Sequence, residues 1–199
     1  MKTFKALIVI LGILLTGNFA SSQSFNSFKP LSEPDGFRGI KWGTDISSLN
    51  DIVHERNAPN NIKVYKRMGD ELRIGKARLE EIQYRFWMNK FYQVFIFLRG
   101  AENWNYFKEA IFETFGKTIS FEEMGKMVGA KETGEKTGET YSWNGRNTSM
   151  GISYWKNKQE GSLLMESLII VEKKEAYEQQ KRIEQEEKAT EKKARERGF

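Results

Sequence analysis

The amino-acid sequence predicts an α+β fold, in which a mainly antiparallel sheet packs against two helices and a charged helix ends the chain. Three observations support this prediction: two hairpin patterns centred on Asn89-Lys90 and Asn144-Gly145, a strongly amphipathic segment at 103–115, and a glycine-free charged run from Glu172 to Arg197. Strands joined by short turns favour antiparallel pairing. The order of the elements is compatible with two similar halves.

The N-terminal residues predict an exported protein. Lys2 and Lys5 precede an apolar run from Ala6 to Leu15, and the small residues 20–22 follow. This layout is typical of a signal peptide and assigns residues 1–22 to it, with cleavage after residue 20 or 22. The run is shorter than the ~20 apolar residues of a membrane span. The alternatives are an uncleaved anchor and a buried N-terminal helix, and we expect no integral membrane domain after cleavage.

The composition narrows the compartment and the class of partner. The chain has no cysteine, so its fold cannot depend on disulfides, and an exported protein of this kind suits a bacterial envelope or secretion from a bacterium. The formal net charge is +5, but two of the basic residues belong to the leader and opposite charges are interspersed elsewhere. Nucleic-acid binders usually present a patch of one sign. We therefore expect no nucleic-acid partner.

The first part of the domain is predicted to begin after an extended linker at 23–35, which holds two prolines. The α+β domain then spans 36–171 and opens with a short extended segment that ends at Gly43. Apolar residues at 46, 49 and 53 predict an amphipathic helix over 45–55, with the only histidine, His54, at its end. Strands are predicted at 62–67 and 72–76.

The strongest strand pattern is the hairpin formed by 80–88 and 91–99. A two-residue loop at Asn89-Lys90 would pair Met88 with Phe91 and Ile82 with Phe97. This register predicts a core face made of Ile82, Tyr84, Phe86, Met88, Phe91, Phe95 and Phe97. The opposite, mixed face would carry Gln83, Arg85, Trp87, Tyr92, Val94, Ile96 and Leu98.

The second half is predicted to follow a helix at 103–115 that ends at Gly116. Residues 117–139 favour loop. A second hairpin, 140–143 with 148–155, precedes a last strand at 162–171. The tail at 172–199 has many strong helix formers and i,i+4 ion pairs, but too few apolar residues for a stable coiled coil. It is interpreted as a solvated helix or disordered tail, with a partner-binding helix as the alternative.

Few residues of this chain point to catalysis or to a cofactor. One histidine and no cysteine exclude the usual zinc sites and nearly exclude a Ser-His-Asp or Cys-His nucleophile. The glycine-containing segment 129–137 has a misplaced Glu135 and lacks the strand that precedes a phosphate loop. We therefore predict no cofactor, no metal and no catalytic residue, although chemistry that depends on carboxylates alone stays open.

Aromatic residues on the mixed face are the best candidates for a binding site. Trp87 and Trp155 are the tryptophans expected to be exposed, and Trp87 with Arg85 and Tyr92 could line a groove for a small molecule or peptide. The competing interpretation is that another segment of the chain covers this face.

The opening of the domain, residues 37–44 with the sequence Phe-Arg-Gly-Ile-Lys-Trp-Gly-Thr, resembles a group of secreted bacterial proteins of unknown activity. Those proteins look like small α+β domains in which this opening precedes a Tyr-x-Phe strand, a hairpin and an amphipathic helix ending in Phe-Gly. The matching pieces here are Tyr84 to Phe86, Phe91 to Val94 and Phe115-Gly116. The resemblance covers roughly residues 37 to 170 and implies a fold but no activity.

Together these observations predict an exported, non-catalytic domain that binds a protein or peptide partner through the mixed face and the tail. A small-ligand-binding domain that uses the aromatic groove is the first alternative. A hydrolase that depends on carboxylates is the second.

Overall fold

The computed structural model describes residues 26–127 and 138–196. The predicted leader at 1–22 and the glycine-containing segment 129–137 lie outside these ranges. Within them the chain forms a mainly antiparallel sheet with helices, as the sequence predicts. No helix in the described ranges is both long and apolar enough to cross a bilayer.

Seven strands form the main sheet, in the order β3-β4-β7-β8-β11-β10-β9 with antiparallel pairing throughout. Two short hairpins lie outside it. In chain order the strands are β1 (Gly36–Phe37), β2 (Ile40–Lys41), β3 (Ile52–Ala58), β4 (Ile62–Arg67), β5 (Arg73–Ile74), β6 (Ala77–Arg78), β7 (Glu81–Trp87), β8 (Lys90–Arg99), β9 (Gly138–Asn144), β10 (Thr148–Trp155) and β11 (Glu160–Ser167). The helices are α1 (Ala101–Phe115), α2 (Phe121–Met127) and α3 (Leu168–Glu196).

The order of the elements has an internal similarity. The run β4-β7-β8 is followed by α1, and the run β9-β10-β11 is followed by α3. The last strand of each run, β8 and β11, lies at the centre of the sheet, where the two pair. Two similar halves stay a prediction that the order of the elements allows.

One face of the sheet forms the core with α1. Trp104, Phe107 and Ile111 of α1 are buried, and the Trp104 ring stacks on Tyr154 with centroids 5.3 Å apart. A Cβ on Gly161 would lie 3.0 Å from the Trp104 ring, so the glycine makes room for this indole. The predicted amphipathic helix is thus confirmed, and it ends as expected at Gly116, whose φ is 97°.

The N-terminal segment covers the rest of this core face. Phe37 contacts Tyr84, and Trp42 stacks on Phe91 with centroids 5.0 Å apart. Residues 26–35 also lie against the domain, because the Glu33 carboxylate accepts hydrogen bonds from the backbone N–H groups of Asn147 and Thr148. The described part of the predicted linker is therefore packed against the domain, and it is not extended throughout, because it turns at Lys29–Ser32, where Leu31 has a φ of 63°.

The helix predicted over 45–55 is wrong. A 3-10 helix occupies only Ile46–Ser48, with the Asp45 carboxylate accepting from the Ser47 N–H, and β3 begins at Ile52. His54 therefore lies on an edge strand and not at a helix end. The three apolar residues that suggested a helix belong to different elements, and pairing with β4 overrides the local pattern.

The predicted register of the β7–β8 hairpin is also wrong. The turn residues are Met88 and Asn89, both with positive φ (46° and 65°), and a bulge interrupts the pairing at Arg85/Phe86. The bulge adds one residue to β8. Because successive side chains of a strand alternate between the two faces, the β8 residues beyond the bulge lie on the face opposite to the one predicted. Val94, Ile96 and Leu98 are in the core, Phe95 and Phe97 lie on the opposite face, and Met88 is 43% exposed.

The second half differs from the prediction in one additional helix and in the end of the last strand. α2 occupies part of the segment interpreted as loop, and Ser120 and Glu123 form a reciprocal capping box at its start. The last strand ends at Ser167 and not at residue 171, because α3 begins directly at Leu168. The charged C-terminal segment is helical, as predicted.

Candidate binding face

The face of the sheet opposite α1 is the candidate site. Its centre is contributed by alternate residues of β7, β8 and β11, which point away from the core. We call this surface the open face, and its central residues are Gln83, Arg85, Gln93, Phe95, Phe97, Leu164 and Glu166. The aromatic rings, Arg85, Leu164 and Glu166 are half-buried, whereas the two glutamines are buried between them.

Arg85 is the central charged group of the open face. Its Nη1 donates to Gln93 Oε1 at 3.0 Å, and its Nη2 and Nε donate to Gln83 Oε1 at 2.9 and 3.3 Å. The guanidinium carbon also lies 4.9 Å from the centre of the Phe95 ring. Among the described residues Arg85 forms no ion pair with a carboxylate within 4.0 Å. Burial lowers the pKa of this guanidinium, but an arginine stays protonated in proteins.

Two glutamine carboxamides hold Arg85 in position. Gln93 Nε2 donates to Glu166 Oε2 at 2.6 Å, and Gln83 Oε1 also accepts from Arg56 at 3.4 Å. A guanidinium has five N–H groups, and the described contacts of Arg85 use three of them. The site therefore presents a positioned cation with donors to spare.

An apolar strip leads away from Arg85 along β8. Phe95 and Phe97 contact each other edge to face with ring centroids 4.4 Å apart, and Leu164 pairs with Phe95 from β11. The strip ends in a cleft of about 440 Å³. The residues lining this cleft are Lys66, Glu80, Glu81, Phe97, Leu98, Arg99 and Glu160.

The first turns of α3 close the other end of the open face. The Tyr177 ring contacts Trp87 with centroids 5.8 Å apart, and Lys174 pairs with Glu178 at 3.2 Å. Trp87 is 8% exposed and Tyr92 is 2% exposed. Burial raises the pKa of Tyr92 to about 12. From Gln179 to the end of its described side chains, α3 is exposed.

The predicted site residues divide into three groups. Arg85 lies on the open face, while Trp87 and Tyr92 are neighbours of Arg85 but are buried at the α3 end. The exposure predicted for Trp87 is therefore wrong, because α3 covers it. Trp155 is 40% exposed, as expected, but it pairs with Glu160 at the far end of the sheet, about 20 Å along the strands from Gln93.

Sequence reasoning missed the glutamines and the aromatic strip. The sequence predicts Phe95 and Phe97 in the core, and this prediction is wrong because the bulge that moves them to the open face has no sequence signal of its own. The sequence does contain a signal for one of the two turn residues, since asparagine tolerates the positive φ that Asn89 adopts. The competing interpretation, that another segment covers this face, holds only for the end beneath α3.

Other candidate groups lie away from the open face. His54 is exposed on β3, where its Nε2 lies 3.0 Å from Asn57 Oδ1 and its ring contacts the edge of Tyr65. The Asp70 carboxylate pairs with Arg38 and accepts a hydrogen bond from the Tyr84 hydroxyl at 2.5 Å. Within the described ranges, three or more metal-ligating side chains do not come together anywhere.

Comparisons of this chain with protein-family models, with curated proteins and with solved structures found no match.

Proposed function

We propose that this protein is an exported, non-catalytic domain of the bacterial envelope that binds a peptide segment of a protein partner on its open face. One observation carries the proposal. The centre of a seven-stranded sheet keeps two half-buried aromatic rings beside a cation that pairs with no carboxylate among the described residues. Exposed apolar surface beside such a cation is typical of interaction sites, and an extended chain that covers it would bury both rings.

The dimensions of the open face fit a short peptide. From Gln93 to Phe97 the strip runs four residues along β8, which is about 13 Å and matches four residues of extended chain. Aromatic residues and arginine are the types most enriched where binding energy concentrates. The protruding part of α3, residues 179–196, adds about 27 Å of exposed helix as a second contact surface.

A small ligand is the second candidate function, and the cleft beside Phe97 favours it. Its volume of about 440 Å³ falls within the range of small-molecule sites. The polar lining, with Lys66, Glu81, Arg99 and Glu160 around one aromatic ring, would suit a small polar molecule.

Selection from a random peptide library on the immobilised full chain tests peptide binding. We expect the selected peptides to lose binding to the Phe97→Asp variant and to keep it with Phe121→Asp, which makes the same change at an exposed ring at the start of α2. Peptides that bind both variants equally, or a selection that yields none, would contradict the proposal.

Export is tested separately. The full chain, expressed in a bacterium, is expected in the envelope or culture medium with a new N-terminus after residue 20 or 22. Recovery of the uncut chain from the cytoplasm would contradict export and leave the peptide site unaffected.

A further inference from the structure

We infer that the open face recognises a C-terminal carboxylate: Arg85 binds the terminal carboxylate of the partner peptide, and the apolar side chain of the last residue lies on Phe95 and Phe97. This inference rests on the proposed peptide-binding function and names the chemistry of its ligand.

The charge of Arg85 is held in place without being neutralised. Its acceptors, Gln83 and Gln93, are uncharged amides, whereas a glutamate of nearly the same shape at either position would pair with the guanidinium. The nearby carboxylate of Glu166 is engaged by the Gln93 amide at 2.6 Å. A half-buried cation without an ion-pair partner is costly, and a ligand carboxylate would supply that partner.

The orientation of Arg85 suits a carboxylate. The Phe95 ring lies over the guanidinium at 4.9 Å, and the two glutamines fix its plane through three hydrogen bonds. The remaining N–H groups can form the paired hydrogen bonds that arginine makes with carboxylates. An apolar side chain beside that carboxylate would reach the rings of Phe95 and Phe97.

The covered end of the face favours a chain terminus over an internal acidic residue. Trp87 lies two residues beyond Arg85 on the same face of β7, about 7 Å away, and Tyr177 of α3 packs on it. A bound chain therefore cannot continue past Arg85 along the sheet. It can extend in the other direction, along Phe95 and Phe97 toward the cleft.

The test titrates the isotopically labelled full chain with three acetylated peptides and follows binding by NMR. The first has three alanines and a C-terminal phenylalanine with a free carboxylate, the second is its C-terminal amide, and the third is an amide with an internal aspartate beside phenylalanine. We expect the free acid to bind about tenfold more tightly than either amide, with shifts at the Arg85 side-chain N–H.

Gln83→Glu is the decisive variant. It supplies an internal carboxylate to Arg85 and Arg56 with almost no change of shape, so the fold is retained and the preference for the free acid is expected to disappear. Arg73→Gln, which removes an exposed arginine of β5 outside the main sheet, is the control and should retain the preference. If Gln83 had only a structural role, Gln83→Glu would not abolish the preference for the free acid while the fold is retained.

The inference is overturned if the free acid and its amide bind equally, if none of the three peptides binds, or if Gln83→Glu retains the preference. Binding of the internal aspartate peptide as tightly as the free acid would overturn recognition of a chain terminus. Library peptides that need Phe97 but are indifferent to their C-terminal group would leave the proposed function standing and the carboxylate inference wrong.

Discussion

The buried indole N–H groups of this protein differ in whether they have a partner. Trp143 donates to the backbone oxygen of Gly116 at 2.9 Å, and Trp104 lies 3.3 Å from a carboxylate oxygen of Glu139. The Nε1 of Trp87, beneath α3, has no hydrogen-bond partner among the described residues. A buried donor without a partner costs about 1–3 kcal/mol.

Replacing these tryptophans by phenylalanine should therefore have unequal effects. We expect Trp143→Phe to lower the free energy of unfolding by about 2 kcal/mol more than Trp87→Phe does, because only the first change removes a hydrogen bond and strands its acceptor. Urea denaturation of both variants measures the difference. Equal losses of unfolding free energy would contradict the statement that the Trp87 N–H has no hydrogen-bond partner in the described part of the chain.

Asp45 predicts how the stability of the protein depends on acid. The Ser47 backbone N–H, the Ser47 hydroxyl and Lys90 lower the pKa of Asp45 from 3.8 to about 2. Since the folded pKa lies below the unfolded one, this group stabilises the fold above pH 3.8, and the contribution is lost as the pH falls toward 2. Asp45→Asn should flatten the loss of unfolding free energy in that window. Identical pH profiles for the two proteins would refute the prediction.

At the scale of elements, the turn of the β7–β8 hairpin carries strain. Met88 adopts a φ of 46° although its side chain is exposed and gains little from the position. A two-residue turn with two positive φ values favours asparagine or glycine at such a site. We expect Met88→Asn to raise the free energy of unfolding by about 0.5–1 kcal/mol. Chemical denaturation checks this, with Asn89→Ala as the control that should destabilise.

α3 consists of a docked part and a free part. In the docked part Tyr177 contacts Trp87 and Lys174 pairs with Glu178, whereas the described side chains from Gln179 onward are all exposed. A chain stopped after Gln180 should keep the full free energy of unfolding. One stopped after Val171 uncovers Trp87 and Tyr92 and should lose about 2 kcal/mol or more. Equal stability of the two truncated chains, measured by urea denaturation, would show that the docked turns contribute nothing.

At the scale of the whole molecule, the two faces of the sheet have different tasks. The face under α1 holds the buried core, and the opposite face stays partly solvated except beneath α3. Phe107→Asp should reduce the free energy of unfolding by more than about 4 kcal/mol, whereas Phe97→Asp should cost about 1–2 kcal/mol. Thermal and urea unfolding compare them. Similar losses would mean that the open face is part of the core.

Much of the fold was predictable, and the failures have identifiable causes. The helix at 103–115 and the hairpins were found because their periodicity is long and regular. The helix over 45–55 was predicted wrongly because three apolar residues coincide with helical spacing, while β3 is formed by pairing with β4. For the site, Arg85 was found, but Gln83, Gln93 and the strip from Phe95 to Phe97 were not.

By itself the sequence determined only those features that depend on residues a few positions apart in the chain. It determined the α+β class and the strands and helices whose apolar residues recur with one period, because alternation and helical spacing act within a few residues. For the charged tail it left a helix and a disordered segment open. Only the tertiary structure decided which face of β8 is buried, since the bulge inserts one extra residue into β8 and reverses the alternation beyond it. It also decided that α3 covers Trp87 and Tyr92 but leaves Arg85 open. Trp87 and Tyr177 are 90 residues apart in the chain, and the sequence around either residue contains no pattern that predicts their contact.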